Sequence, residues 1–301
     1  MIYSRGHQSL GSAKLPLLWK RFNSCTRFIP LNNDYTTLRH IHFDGITPFE
    51  QGQRIQSKIV NANLDFKKME SKIKKQQEDL ASQGFQLAAE EREIINKILK
   101  LRPSPTLLTF QFNGVYTGGK QMKQDPDLTK KIESYRKLGC QYYQLERGGQ
   151  VTWHGPGQLT AYIILDLKRF SNLSVRCYVD TVLLQAVRNL LLKHHGIDNH
   201  LSENPGVWVD SSNDKIASVG CNIQRAITSY GIGLNVNPDL SYMNSNEMCG
   251  MSNVKATSVK ELTGSGTTVA GISDQFAREL AEILNMKVVE KMDGKGMLES
   301  Q

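Results

Sequence analysis

The chain lacks several features that would each assign it to a particular class of protein. Its five cysteines are scattered with no C-x-x-C pair, which argues against a zinc ribbon or a disulfide scaffold and favours a reducing compartment. No apolar run is long enough to span a bilayer. No dense Lys/Arg stripe interleaved with aromatic side chains is present, so a nucleic-acid-binding protein is not expected.

Acidic side chains are missing from residues 1–33, and this segment contributes +5 of the chain's net charge of +8. It is basic, contains serines and has short apolar patches, which is the pattern of a mitochondrial transit peptide. The alternative is a merely disordered N-terminus, whereas a secretory signal would need an uninterrupted apolar core. We therefore expect a leader at residues 1–33, a location in the mitochondrial matrix, and a mildly basic body that suits an acidic protein partner.

The rest of the chain is patterned as one mixed α/β catalytic domain at residues 34–290, followed by a C-terminal tail at 291–301. Apolar or alternating runs predict its strands, and amphipathic spacing predicts its helices. The strands are predicted at 107–112, 142–145, 161–167, 206–209, 215–223 and 226–236, and the helices after caps at Ser174 and Ser273.

A dense pattern of charges marks residues 66–100. Such a pattern is most simply a solvated helical pair inserted on the surface, with a partner-binding role as the alternative. The sequence RPSP at 102–105 ends this insertion.

A glycine-rich element, RGGQVTWHGPGQ, occupies residues 147–158. Its glycines allow a ligand to approach the backbone closely, and His154 lies between them. The element is not a Walker loop, because no G-K-[ST] sequence follows, and its glycine spacing excludes a Rossmann fingerprint. The element therefore predicts a site for a small acyl group, with phosphate binding as the alternative.

Cys249 is the cysteine with the strongest indication of reactivity. It lies beside Gly250 in a short polar segment that is typical of a loop, whereas Cys221 alternates with apolar residues and is expected to be inert packing. Lys215 opens a predicted strand, a position where most lysines are simply solvated. Placed beside Cys249, its ammonium would favour the thiolate, and partial desolvation would let the lysine accept a proton.

In order and spacing, these motifs resemble the signature of the lipoyl(octanoyl) transferases. The resemblance covers about residues 106–284 and includes the element at 147–158, KIASVG at 215–220, GIGLNV at 231–236 and CG at 249–250. The leader and the charged insertion are similar to those of the mitochondrial members from fungi.

This resemblance implies the fold of the biotin/lipoate protein ligase catalytic domain, a mixed sheet flanked by helices. It implies transfer of an octanoyl group from acyl carrier protein, through a cysteine thioester, to a lysine of lipoyl domains. The acceptors would include the glycine-cleavage H protein and the acyltransferase subunits of 2-oxoacid dehydrogenases. This is the first step of endogenous protein lipoylation, and no metal or other cofactor is expected.

Carried over residue by residue, the resemblance makes Cys249 the acyl-accepting nucleophile and Lys215 the residue that activates it. Two positions depart from the family's pattern: Met248 where proline is frequent, and Tyr230 where histidine is frequent. Neither change removes a reacting group, but they bear on loop geometry and on any auxiliary histidine. The residues expected to line the acyl site are Arg147, Gly148, Gly149, Gln150, Val151, Thr152, Trp153, His154, Ser218, Val219, Gly220, Gly231, Ile232 and Gly233.

Three other functions compete with acyl transfer. A lipoate or biotin ligase would share the fold but would activate a free acid with ATP and would not require Cys249. A non-catalytic acyl-protein-binding module would leave the thiol idle. A cysteine hydrolase would pair the thiol with His154 and release free octanoate.

Overall fold

The computed structural model describes residue 25, residues 27–244 and residues 254–299. Most of the leader predicted at 1–33, and the segment 245–253 that holds Met248 and Cys249, lie outside the described residues. The strands are β1 (Thr37–Thr47), β2 (Thr106–Phe112), β3 (Val115–Gly118), β4 (Gln141–Gln144), β5 (Val151–His154), β6 (Gln158–Ile164), β7 (Asn199–His200), β8 (Val207–Val209), β9 (Lys215–Gln224), β10 (Ile227–Asn235) and β11 (Val288–Asp293).

These strands form two mixed sheets. The larger has the order β11-β1-β2-β6-β10-β9-β8-β7, and the smaller has the order β4-β3-β5. In the larger sheet, β1 pairs in parallel with β11 and β2, and the remaining described neighbours are antiparallel. In the smaller sheet, β3 is parallel to β4 and antiparallel to β5. The predicted mixed α/β fold is confirmed.

Helices cover both faces of the larger sheet. Strand β6 is buried along its whole length, with Ala161 and Ile163 packed into one apolar cluster and Tyr162 and Ile164 into another. The first cluster includes residues of the helices Gln185–His195 and Val269–Ile283, and the second includes the start of the helix Phe49–Ser82. The helices are α1 (Phe49–Ser82), α2 (Ala89–Leu99), α3 (Leu128–Lys137), α4 (Gln185–His195) and α5 (Val269–Ile283), with shorter turns at Val175–Cys177, Ser241–Asn244, Val259–Thr263 and Lys295–Glu299 and a π-helical stretch at Tyr178–Leu184.

The ends of the helices follow ordinary capping chemistry. The Ser174 hydroxyl accepts a hydrogen bond from the Cys177 amide at 3.1 Å, as expected for its predicted cap. Gly196 ends α4 in the left-handed conformation, also as expected. The prediction for α5 is wrong by five residues, because Thr268 caps this helix and Ser273 lies inside it. The Ser273 hydroxyl donates back to the Ala270 carbonyl at 2.7 Å, which lets a polar residue sit in a helix interior.

The charged insertion is helical and mostly exposed. Helix α1 starts on the sheet and continues past it, and α2 has no buried residue. Glu70 of α1 pairs with Arg102 at 2.7 Å, which ties the far end of the insertion back to α1. The helical structure and the exposure of these residues fit a solvated helical pair.

The two chain ends differ from expectation. Phe28, which falls within the predicted leader, is buried, and Leu31 donates to the Arg169 carbonyl at 2.8 Å. Cys25 forms a disulfide with Cys177, a cross-link that is not expected from scattered cysteines in a chain assigned to a reducing compartment. The predicted tail from residue 291 contributes instead to β11, which adds to the sheet because β1 offers it a free edge.

The part of the chain that the structure describes contains neither a membrane-spanning helix nor a metal-binding cluster. No helix there is long and apolar enough to cross a membrane. No group of three or more His, Cys, Asp or Glu side chains there could hold a metal ion.

Candidate active site

A cavity of about 340 Å³ opens between the loop that leads into β5 and the paired strands β9 and β10. Glycines create this space. The register aligns Gly231 with Gly220, and Gly233 with Ser218, so that three of these four positions on one face of the sheet carry no side chain. A Cβ atom on Gly231 would lie 2.3 Å from the Ala161 carbonyl oxygen, so only glycine fits there.

The cavity is lined by most of the residues that the sequence assigns to an acyl site. It also holds Lys215, the predicted activating residue. Their roles stay predictions, but their convergence from segments far apart in the chain is a property of the fold. The predicted residues that line the cavity are Arg147, Gly149, Gln150, Val151, Thr152, His154, Lys215, Ser218, Val219, Gly220, Gly231, Ile232 and Gly233.

Two predicted lining residues do not line this cavity. Gly148 donates its amide to the Cys221 carbonyl at 3.0 Å and so fixes the loop to β9. Trp153 points the other way along the pleat of β5, where it stacks on Tyr242 and lines a separate cavity of about 580 Å³ together with Cys140. Side-chain alternation along β5 places Thr152 and His154 on the side of the first cavity and Trp153 on the other. Val151, the first residue of the strand, contacts both the cavity and the cluster of Trp153.

Arg147 is buried, and it shapes the glycine loop from within. One guanidinium nitrogen donates to the Thr117 carbonyl at 2.6 Å and to the Thr117 hydroxyl at 2.9 Å. The other donates to the carbonyls of Gly148 and Gln150, each at 3.0 Å. Several donors of one rigid side chain therefore hold the loop closed around the cavity.

His154 is a buried neutral imidazole with a fixed tautomer. The Gln158 amide donates to the Trp153 carbonyl and to the Asn235 side chain, so its oxygen is the acceptor for Nδ1–H of His154 at 2.7 Å. Burial, reinforced by the positive charge of Arg147, lowers the pKa of His154 to about 4. A neutral ring with an unprotonated Nε2 is thus present at physiological pH.

Lys215 is also buried, contrary to the usual solvated lysine. Its amide donates to the Lys255 carbonyl at 2.8 Å, and its carbonyl accepts from Thr257 at 3.1 Å, which fixes the start of β9. Its side-chain nitrogen lies 5.3 Å from the centre of the Trp208 ring, which is the geometry of a cation–π contact.

The segment that carries Cys249 begins and ends close to Lys215. Asn244, the last described residue before the segment, accepts from the Ala256 amide at 2.7 Å and donates to its carbonyl at 3.3 Å. Ala256 forms a parallel bridge with Lys215. The described residues on either side of segment 245–253 are therefore held together beside Lys215.

Cys221 behaves as the inert cysteine that the alternation in β9 predicts. Its thiol packs against the main apolar cluster, and burial raises its pKa to about 11. A thiol with so high a pKa is almost fully protonated at neutral pH and is a poor nucleophile.

Sequence reasoning missed several lining residues because no motif marks them. Leu145 precedes the glycine loop, and Asn204 and Pro205 come from the loop before β8. Tyr230 departs from the family's pattern, but no feature of the sequence predicts that it lines the cavity. The lining residues absent from the prediction are Gln121, Leu145, Thr160, Tyr162, Asn204, Pro205 and Tyr230.

Acidification should destabilise the fold before the carboxylates titrate, because buried histidines are held neutral. Burial lowers the pKa of His40, like that of His154, to about 4 from an ordinary 6.5. The unfolded chain therefore binds these protons first, and stability that is complete above pH 6.5 is lost as pH falls towards 4. Each histidine should cost about 2 kcal/mol of unfolding free energy between pH 7.5 and pH 5.

Urea unfolding of the wild type and of His154→Gln at both pH values measures how much of the loss of unfolding free energy comes from His154. We expect the variant to lose less stability on acidification than the wild type does. An equal loss in both proteins would show that His154 is not held neutral in the folded state.

Comparison with known proteins places the chain in a family. Residues 82–281 match the lipoyl protein ligase A/B catalytic domain. The chain is 42% identical to a mitochondrial octanoyltransferase of Kluyveromyces lactis, over 89% of this chain and 87% of that protein. It is 38% identical to a mitochondrial octanoyltransferase of Saccharomyces cerevisiae, over 87% of this chain and 86% of that protein.

Solved structures show the same fold. A bi-partite lipoate protein ligase of Thermoplasma acidophilum aligns with a TM-score of 0.51 at 12% identity, over 87% of this chain and 91% of that chain. At such low identity the likeness concerns the fold alone, and it confirms the predicted ligase-like architecture. The chain belongs to the lipoyl protein ligase A/B catalytic domain family, within which it groups with the octanoyltransferases, and it is an acyltransferase.

Proposed function

We propose that this enzyme takes an octanoyl group from octanoyl acyl carrier protein onto Cys249 and delivers it to a lysine of lipoyl domains. The acceptors are the glycine-cleavage H protein and the acyltransferase subunits of 2-oxoacid dehydrogenases. The reaction takes place in the mitochondrial matrix, to which the basic leader predicted within residues 1–33 directs the chain, in keeping with relatives named as mitochondrial.

The observation that carries this proposal is the cavity with Lys215 at one end. Glycine backbone and the apolar side chains of Leu145, Val219 and Ile232 form part of its wall, which suits an unbranched acyl group, and polar side chains form the rest. Lys215 lies beside the clamped ends of the segment that contains Cys249. A buried ammonium next to a thiol lowers the thiol pKa from its usual value of roughly 8.5 and supplies a thiolate at neutral pH.

The first half-reaction moves the acyl group to the enzyme. The Cys249 thiolate attacks the thioester carbonyl, a new C–S bond forms, and the bond to the carrier's sulfur breaks. Lys215 gives its proton to the departing thiolate and becomes a neutral amine. One thioester replaces another, so this step is nearly balanced in energy.

The second half-reaction delivers the acyl group to the acceptor. The neutral form of the incoming lysine attacks the Cys249 thioester, a C–N bond forms, and the C–S bond breaks. Lys215 takes the proton that the amine loses, which restores the ammonium–thiolate pair. An amide replaces a thioester, so this step is downhill.

Backbone N–H groups near Gly220 or Gly250 serve as oxyanion donors in both half-reactions. Neither step requires a metal ion, a nucleotide or a redox cofactor, because the thioester is already an activated acyl group. An ATP-dependent ligase differs at this point, since it must first activate a free acid.

Incubation with octanoyl acyl carrier protein, followed by apo H protein, tests the proposal by intact mass. We expect the enzyme to gain one octanoyl group and then to lose it as the H protein gains one. Octanoylation of the H protein only from free octanoate and ATP would support the ligase instead. Rapid release of free octanoate would support a hydrolase, and no adduct on either protein would support a binding module.

A further inference from the structure

Tyr230 breaks the side-chain alternation of β10. Its neighbours at even positions, Ile232 and Leu234, pack into the cluster beneath α4 and α5. The pleat should turn Tyr230 to that face as well. Instead, its ring packs with the cluster on the α1 side and lines the acyl cavity.

A positive φ causes this reversal. Tyr230 has φ 61°, the left-handed conformation that residues with bulky side chains rarely adopt. Such a conformation persists where surrounding contacts impose it, and it concentrates at functional sites. Here it aims an aromatic ring into the cavity from a strand position that would otherwise point away.

Several contacts hold Tyr230 in this position. Its amide donates to the Gln56 side chain of α1 at 2.5 Å. Its ring meets the ring of Tyr162 edge to face at 5.6 Å, and Gln53 of α1 donates to the Tyr162 hydroxyl at 2.9 Å. Burial raises the pKa of the Tyr230 phenol, an effect that the charge of Arg147 partly offsets. The two tyrosines thus form a braced wall.

This wall lies at the opposite end of the cavity from Lys215. The residue paired with Tyr230 is Cys221, six positions along β9 from Lys215. The Lys215 side chain reaches along the strand towards Ala217, since a Cβ on Gly206 would lie 2.6 Å from the Ala217 carbonyl oxygen and 3.2 Å from the Lys215 ammonium nitrogen. The four positions from Ala217 to Cys221 correspond to about 13 Å of strand, which matches an extended octanoyl chain of about 10 Å and its terminal methyl group. An acyl chain whose carbonyl is beside Lys215 would run along the glycine backbone and end against the tyrosines. Leu145 lines the cavity as well.

We propose that Tyr230, aimed by its left-handed backbone and braced by Tyr162, is the residue that limits the length of the acyl chain this enzyme accepts. The inference rests on the proposed octanoyl transfer and adds its specificity determinant. It also gives the start of α1 a function, since Gln53 and Gln56 position the wall.

A competition between acyl chains tests this inference. Equal amounts of octanoyl, decanoyl and dodecanoyl acyl carrier protein are offered together, and the acyl groups on the enzyme and on H protein are read by intact mass. Tyr230→Gly removes the wall and suits the positive φ. We expect its decanoyl-to-octanoyl ratio to rise roughly tenfold or more over the wild type, because two more methylenes can be buried.

Three further variants make the test decisive. Tyr230→Asn also tolerates the left-handed backbone and should show the same shift if the glycine variant folds poorly. Tyr230→Phe keeps the ring and should retain the wild-type ratio. Arg225→Gly, at another position of positive φ in the β9–β10 turn, is the matched backbone control and should also leave the ratio unchanged.

An unchanged ratio in folded Tyr230→Gly and Tyr230→Asn would overturn this inference and leave the proposed function intact. Failure of the wild type to transfer any acyl group from carrier protein to H protein would instead overturn the proposed function, and this inference with it.

Discussion

Replacing Cys249 by serine should abolish the octanoyl-enzyme and lower turnover on the order of a thousandfold or more. A serine hydroxyl is not ionised by a neighbouring ammonium at neutral pH, whereas a thiol is. A serine ester would also be a poorer acyl donor to an amine than a thioester is. Intact mass after incubation with octanoyl acyl carrier protein, together with the initial rate of H-protein octanoylation, measures both effects.

The chain offers a matched control for this substitution. Cys221 lies in β9 next to the cavity residue Gly220, but burial keeps its thiol protonated. Cys221→Ser should therefore retain the octanoyl-enzyme and most of the rate. Full activity of Cys249→Ser would reject the nucleophile assignment, and loss of the adduct in Cys221→Ser alone would move it to the other cysteine.

Replacing Lys215 by alanine should slow alkylation of Cys249 at pH 7 roughly tenfold, because loss of the ammonium raises the thiol pKa by about one unit or more. Turnover should fall further, since the variant also lacks the group that passes a proton between the two half-reactions. The pH dependence of iodoacetamide labelling at Cys249 gives the first quantity, and steady-state octanoyl transfer gives the second.

Arginine at the same position separates the two roles of Lys215. A guanidinium keeps the positive charge but does not release its proton at neutral pH, so Lys215→Arg should preserve fast alkylation while losing turnover. Lys255 supplies the control, since its backbone carbonyl holds Lys215 and its side chain is exposed. Lys255→Ala should change neither quantity. An alkylation rate that is the same in Lys215→Ala and the wild type would exclude activation by this lysine.

The sequence predicts the parts of the fold where one residue pattern repeats without interruption. The helix after Ser174 and the hairpin of β9 and β10 are clear because their apolar positions recur at helical or strand spacing. Strand β1 is not predicted, because its inward positions include His40 and His42. Both histidines are buried, and each forms a hydrogen bond with the Thr109 hydroxyl at 2.9 Å. Polar residues therefore occupy positions where apolar residues would indicate a strand.

The same limit applies to the cavity. Glycine-rich motifs reveal its backbone wall, since a glycine at Gly231 or Gly233 signals close approach whatever the surrounding fold. Residues that line it through tertiary placement carry no such signal. The reversal of Tyr230 is the clearest case, because strand alternation alone predicts the opposite face. The burial of Lys215 likewise depends on Trp208 and on the chain after residue 253, which only the folded structure brings near.

A crystal structure of the enzyme trapped with an octanoyl group tests most directly whether this cavity is the acyl site. We expect continuous density from the sulfur of Cys249, past the Lys215 ammonium and along Gly233 and Gly231, to an end against Tyr230. An acyl chain in the second cavity beside Trp153, or a Cys249 sulfur out of reach of the Lys215 ammonium, would contradict it.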